Sequence, residues 1–128
     1  MKPITAEWVE KAEGDFNVME RESRVRKNPN YDAICFHAQQ CAEKYLKARL
    51  VEAGISFPKI HDLVTILELA LPLEPKWEIF RKELATITDY ATNFRYPGER
   101  SDREMAVEAR KFCRRFRRQA RRALDLDP

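Results

Sequence analysis

The sequence predicts an all-α protein, an up-and-down bundle of four to five helices. Three observations carry this. Strong helix formers dominate while glycine is down to three residues. Runs of alternating β-branched residues, the mark of half-buried strands, are missing. Apolar residues instead recur every three or four positions along long segments joined by short connections, which is the pattern of antiparallel helices.

The elements follow in order. The first helix is expected from about Thr5 to Arg26, with Thr5 as N-cap and Trp8, Ala12, Phe16 and Met19 at helical spacing. Asn28-Pro29-Asn30 breaks it. The second starts after Asn30, a good N-cap, and ends at Gly54, with Asp32 in the first turn where the macrodipole favours an acid. A loop over 55–59 leads to a short third helix from about His61 to Leu69, with Leu63, Ile66 and Leu67 inward. The fourth is expected from about Lys76 to Ala91, with Trp77, Phe80, Leu84, Ile87 and Tyr90 as its apolar stripe. After a loop over 92–100, Ser101-Asp102-Arg103-Glu104 resembles a capping box and opens the fifth helix, which runs to about Leu124. Its stripe is Met105, Ala109, Phe112, Phe116, Ala120 and Ala123.

Size and composition narrow the classes. A chain of 128 residues with 44% hydrophobic content is expected to form one domain over 1–128. No apolar run approaches the ~20 residues of a membrane span, and no basic-then-apolar leader opens the chain, so a soluble cytoplasmic protein with no membrane partner is expected. The odd set Cys35, Cys41 and Cys113, on apolar helix faces and without a CxxC, points to reduced, buried thiols. His37 and Cys41 are four apart, but no third ligand follows at a metal spacing, so neither metal nor cofactor is expected. Nucleotide-binding glycine loops and the G-x-S-x-G and H-E-x-x-H motifs are absent from the sequence.

Four constellations remain as candidates. On the second helix, at about 100° per residue, His37, Gln40, Glu43, Lys44 and Lys47 form one polar band within roughly a third of the circumference. The band is either an ordinary paired surface or, with Phe36 beside it, the wall of a cleft or subunit interface. His61 either caps the third helix or acts chemically, for which it would need a partner. Phe94-Arg95-Tyr96-Pro97-Gly98 sets a guanidinium beside a phenol on a proline-stiffened loop, suited to holding phosphate and stacking a base, or else to bonding helix-end carbonyls. The segment 110–122 carries eight basic residues and no acid, although the whole chain is only +3. It is either a solvated helix face or a nucleic-acid contact.

Three of these segments in order carry a family resemblance. Ala38-Gln39-Gln40, Ala42-Glu43-Lys44 and Lys47-Ala48, then Pro58 with His61-Asp62-Leu63, then Arg95-Tyr96-Pro97 resemble the HEPN family (higher eukaryotes and prokaryotes nucleotide-binding) over nearly the whole chain. The resemblance implies a helical bundle that forms a homodimer with a cleft at the interface. It also implies a minimal nucleotidyltransferase partner, the two acting in some cases as a toxin–antitoxin pair. On that basis the protein is a nucleotide- or phosphate-substrate-binding subunit. Arg95 holds phosphate, Tyr96 stacks or hydrogen-bonds, and Gln40, Glu43, Lys44, Lys47 and His61 line or orient the site. The catalytic branch of the family carries a histidine four to six residues after the arginine, and here none follows Arg95. The alternative, a metal-independent ribonuclease toxin, would therefore use Arg95 with His37 or His61 as catalytic groups. A third reading is a pure interaction module.

Overall fold

Each long helix is built around a stripe that meets the others in one continuous core. The structure is a computed structural model and describes residues 1–128 apart from the side chain of Arg95. The helices are α1 (Pro3–Ser23), α2 (Tyr31–Glu52), α3 (Leu63–Ala70), α4 (Arg81–Ile87) and α5 (Arg103–Ala123), with no strand among the described residues. This is the all-helical bundle that the spacing predicts.

Direction follows from contacts at the ends. The Lys2 amide and the Thr5 hydroxyl both donate to Glu52 Oε1, at 3.0 and 2.9 Å, so α1 begins where α2 ends. Ser101 donates its amide and hydroxyl to Asp32 Oδ1 at 2.8 and 2.6 Å, so α2 and α5 begin side by side. The chain therefore runs up in α1, down in α2, up through α4 and down in α5. The short α3 lies beside α2 and α4.

Several expected boundaries move, for identifiable reasons. The first helix starts at Pro3 rather than being capped by Thr5, because proline's fixed φ is already helical and its missing N–H is no loss at the first turn. Thr5 is fully buried against Glu52 instead. The helix stops at Ser23, three residues before Arg26. Asn30 caps α2 as expected, accepting from the Ala33 amide at 2.9 Å, and Gly54 follows its end at φ 73°, a conformation glycine takes without strain. His61 does not cap α3: Asp62 does, accepting from Val64 and Thr65. The α5 cap is Asp102, which accepts from the Met105 amide at 2.8 Å, so the expected capping box at Ser101 does not form and its hydroxyl goes to Asp32.

The expected helix over 76–91 is three pieces. Pro75–Phe80 and Thr88–Ala91 are 3₁₀ turns flanking α4. In a 3₁₀ turn, residues i and i+3 eclipse on one side. That stacks Trp77 over Phe80 on the core, and both are buried. Edge-to-face contacts then tie Trp77 and Phe80 to Phe116 with centroids 5.2 and 5.1 Å apart, joining the fourth pass to α5.

The central helix is α2, and its surroundings decide what its polar residues do. Tyr45, Leu46, Ala48 and Leu50 are fully buried, and Gln39, Glu43 and Lys47 are buried with them. Cys35, Cys41 and Cys113 are free thiols inside the core, as their apolar faces predict. No helix among the described residues is long and apolar enough to cross a membrane.

The basic run on α5 is only partly a solvated face. Arg117 grips Glu13 of α1 through Nε and Nη2 at 2.7 and 2.6 Å. Tyr45, buried beneath, donates to the same Glu13 at 2.5 Å and accepts from Arg121 at 3.0 Å. Arg110 and Arg114 both hold Glu20, and Arg115 pairs with Glu83 of α4. The acids of α1 therefore neutralise much of the charge that the sequence concentrates in one helix.

A buried carboxylate holds an exposed histidine

The polar band of α2 is not one surface. The structure divides it between two neighbours. His37 and Lys44 turn toward α1, where the nearly buried Asp15 accepts from Lys44 Nζ at 2.5 Å and from His37 Nδ1 at 2.8 Å. The His37 ring also meets Phe36 edge-on, at 5.0 Å between centroids. Glu43 and Lys47 turn the other way, under the loop that leads to α3.

Glu43 is the hub of that second group. Its side chain is 4% exposed. Lys47 Nζ donates to Oε2 at 3.1 Å, one turn on. Gln39 Nε2 donates to Oε1 at 3.3 Å, and Gln40 Nε2 in turn donates to Gln39 Oε1 at 2.6 Å. His61 brings Nδ1 to 3.0 and 3.1 Å from the two carboxylate oxygens. A carboxylate only accepts, so Nδ1 carries the hydrogen and the ring presents Nε2 outward. The imidazole itself is 71% exposed. A buried charge thus fixes the tautomer and direction of an exposed ring.

Two aromatic rings close the inner side. Lys47 Nζ lies 5.6 Å from the Trp8 ring centre and 5.5 Å from that of Phe57, and the two rings meet edge-on at 6.3 Å. An ammonium so placed is held by its carboxylate and by both π faces, which keeps a buried ion pair compensated. Backbone contacts set the height of His61. Thr88 accepts from the Leu63 amide at 2.8 Å and donates to the His61 carbonyl at 3.4 Å, pinning the start of α3 to the end of the fourth pass.

A cleft of about 290 Å³ opens beside the first group, between Asp32, Phe36, His37, Tyr90 and Phe94. The Tyr90 and Phe94 rings lie 5.1 Å apart and brace its rim. Just beyond, Tyr96 is 66% exposed and Gly98 turns the loop at φ 92°, which only glycine adopts without strain. The side chain of Arg95, the expected phosphate ligand, lies outside the described residues.

Of the residues singled out in the sequence, the structure therefore joins Gln40, Glu43, Lys47 and His61 in one network, and His37 with Lys44 in another. Among the described residues, the Tyr96 side chain shares no hydrogen bond or ring contact with either network and is exposed on the loop. Asp15, Phe57 and Thr88 join these networks without being named from the sequence, while Gln39 is named there only within the family motif and Trp8 only as part of an apolar stripe. Asp15 carried a legible signal: it falls between Ala12 and Met19 on the inward stripe of α1, where an acid needs a partner. Among the described residues no three metal-ligating side chains come together.

The model of the HEPN domain family matches residues 5–123. No curated protein and no solved structure matches the chain. The match extends from the first turn of α1 to the last of α5 and takes in the Glu43 hub, His61 and the Arg95-Tyr96-Pro97 loop, and the chain belongs to the HEPN family.

Proposed function

We propose that this protein binds a nucleotide or another phosphate-bearing substrate beside His61. The observation that carries this reading is the exposed imidazole held through Nδ1 by the buried Glu43. Its Nε2 faces solvent in a fixed direction, so it meets a ligand without first losing side-chain freedom. Glu43, Lys47 and Gln40 then act as positioning residues beneath it, Arg95 holds phosphate, and Tyr96 offers an exposed ring. Lys44 and His37, tied to Asp15, border the neighbouring cleft.

Calorimetric titration with ATP tests this. Wild type should bind, Arg95→Ala should weaken binding at least tenfold, and His61→Ala should weaken it several-fold with the helical circular dichroism unchanged. Equal affinity in all three proteins would refute the reading.

A metal-independent ribonuclease is the second reading, favoured by the same geometry. An outward Nε2 backed by a carboxylate is suited to take a proton from a 2′-hydroxyl. His61 suits that role better than His37, whose ring packs on Phe36 and is 25% exposed. Cleavage of RNA in excess chelator that disappears in both His61→Ala and Arg95→Ala would establish it. The homodimer, the minimal nucleotidyltransferase partner and a toxin–antitoxin role rest on family membership alone. Sedimentation of the purified protein and co-purification with such a transferase test them.

A further inference from the structure

A second concave surface also lies at the start of α2, between the end of α1, the connection over 24–30 and the first half of α5. It is a groove of about 450 Å³ and shares no residue with the His61 network. Its walls carry five cations, Arg26, Arg103, Arg110, Lys111 and Arg114, and no acid. Its floor is apolar, with Val25, Tyr31, Ile34 and Val107.

The surrounding acids are engaged elsewhere. Glu22 accepts from the Asn30 amide, Asp102 caps α5, and Asp32 holds Ser101. Glu108 reaches Lys111 only at 3.8 Å, with both side chains about two-thirds exposed. Such a pair contributes little. Arg26 and Arg103 have no acidic partner among the described residues.

Glu20 plays a different part. It accepts from Nε and Nη2 of both Arg110 and Arg114. One edge of each guanidinium is used, so two arginines are held in place while their Nη1 groups keep donors free. Fixed forks lose less freedom when they take a phosphate than free side chains do.

We propose that this groove binds a single-stranded polynucleotide, its phosphates on the five cations and an unstacked base over Tyr31 and Val25. Successive cations along one wall match a repeating anion better than a single phosphate. An apolar floor with an aromatic ring is what an unstacked base requires and a duplex cannot use. Nothing in the groove singles out a 2′-hydroxyl, so RNA and single-stranded DNA are both accommodated.

Fluorescence anisotropy with labelled decamers of oligouridine and oligothymidine tests this at near-physiological salt. Both strands should bind wild type with similar affinity, and inorganic phosphate or polyglutamate should not displace them at matched charge. Arg103→Glu/Lys111→Glu changes two groove cations that hold no buried acid. It should weaken binding at least tenfold and reduce the slope of log affinity against log salt by about 1.4, from about 0.7 per phosphate contact on a single strand. Arg118→Glu/Arg122→Glu, the same charge change further along α5, should leave binding within about threefold, a small share of the tenfold loss expected in the groove.

Loss of binding in both double variants, displacement by polyglutamate, or no binding by wild type would each overturn the proposal. If the reversal variant does not fold, Arg26→Ala/Lys111→Ala asks the same question and should show at least a fivefold loss, while unchanged binding in that variant overturns the proposal. The groove variant should keep the response to ATP expected beside His61, so failure of one site is distinguishable from failure of the other.

Discussion

Glu20→Gln isolates the largest charge pairing between α1 and α5. The Glu20 side chain is 9% exposed and receives four guanidinium N–H bonds, at 3.3, 2.9, 2.7 and 2.6 Å. Burial alone would raise its carboxyl above the ordinary 4.5. The hydrogen bonds and charges of Arg114 and Arg110 outweigh burial and bring it down to about 2. At full strength that lowering corresponds to about 3 kcal/mol. Both arginines are one-third to one-half exposed, so water screens the pairing, and about 2 kcal/mol is the better expectation. In a domain of this size that lowers Tm by about 8 °C.

The pH dependence gives the sign. A carboxyl whose folded pKa is depressed contributes its full stability above the unfolded value near 4.5. It loses that contribution as pH falls toward about 2. Urea denaturation of wild type and Glu20→Gln across that range is the assay. The difference between them should be flat above about 4.5, shrink below it and vanish near 2. A difference that stays constant through the acid range, or one below about 0.5 kcal/mol near neutrality, would refute the reasoning, because neither agrees with a carboxylate stabilised by two bound guanidiniums.

Other consequences can be checked by the same denaturation measurements. Phe116→Ala removes the ring on which Trp77, Phe80 and Phe112 converge, and should cost about 3–5 kcal/mol by opening a cavity in the core. Lys47→Met leaves Glu43 buried without its ammonium and should cost about 3 kcal/mol, whereas Glu43→Gln/Lys47→Met, with no uncompensated charge, should recover most of that loss. Asp102→Ala should cost about 1 kcal/mol through the lost cap on Met105, while Ser101→Ala, which leaves that cap in place, should act only through Asp32.

Much of the fold is legible in the chain because helices are written in local terms. The stripe of α5 repeats every three or four residues, Asn30 and Gly54 mark the ends of α2, and three cysteines fall on apolar faces, where burial follows from helical spacing alone. Where the local reading goes astray, the core intervenes. Trp77 and Phe80 suit a regular helix by spacing, yet packing against Phe116 holds them in a 3₁₀ turn.

The candidate site is different in kind. Periodicity places His37, Gln40, Glu43, Lys44 and Lys47 on one side of a helix, and it assigns each an angle but no neighbour. Asp15 claims His37 and Lys44 from α1, while the loop before α3 covers Glu43 and Lys47 and brings His61 to them. The basic run of α5 likewise reads as surplus charge until Glu13 and Glu20 lie against it. These contacts join residues far apart in sequence, through side chains whose burial depends on what packs above them. The sequence by itself determined the all-helical class, the inward faces of the long helices and the family resemblance. Only the tertiary structure decided which charges are buried, which are paired and which are left for a ligand, because an ion pair between helices depends on distance and desolvation that no single helix contains.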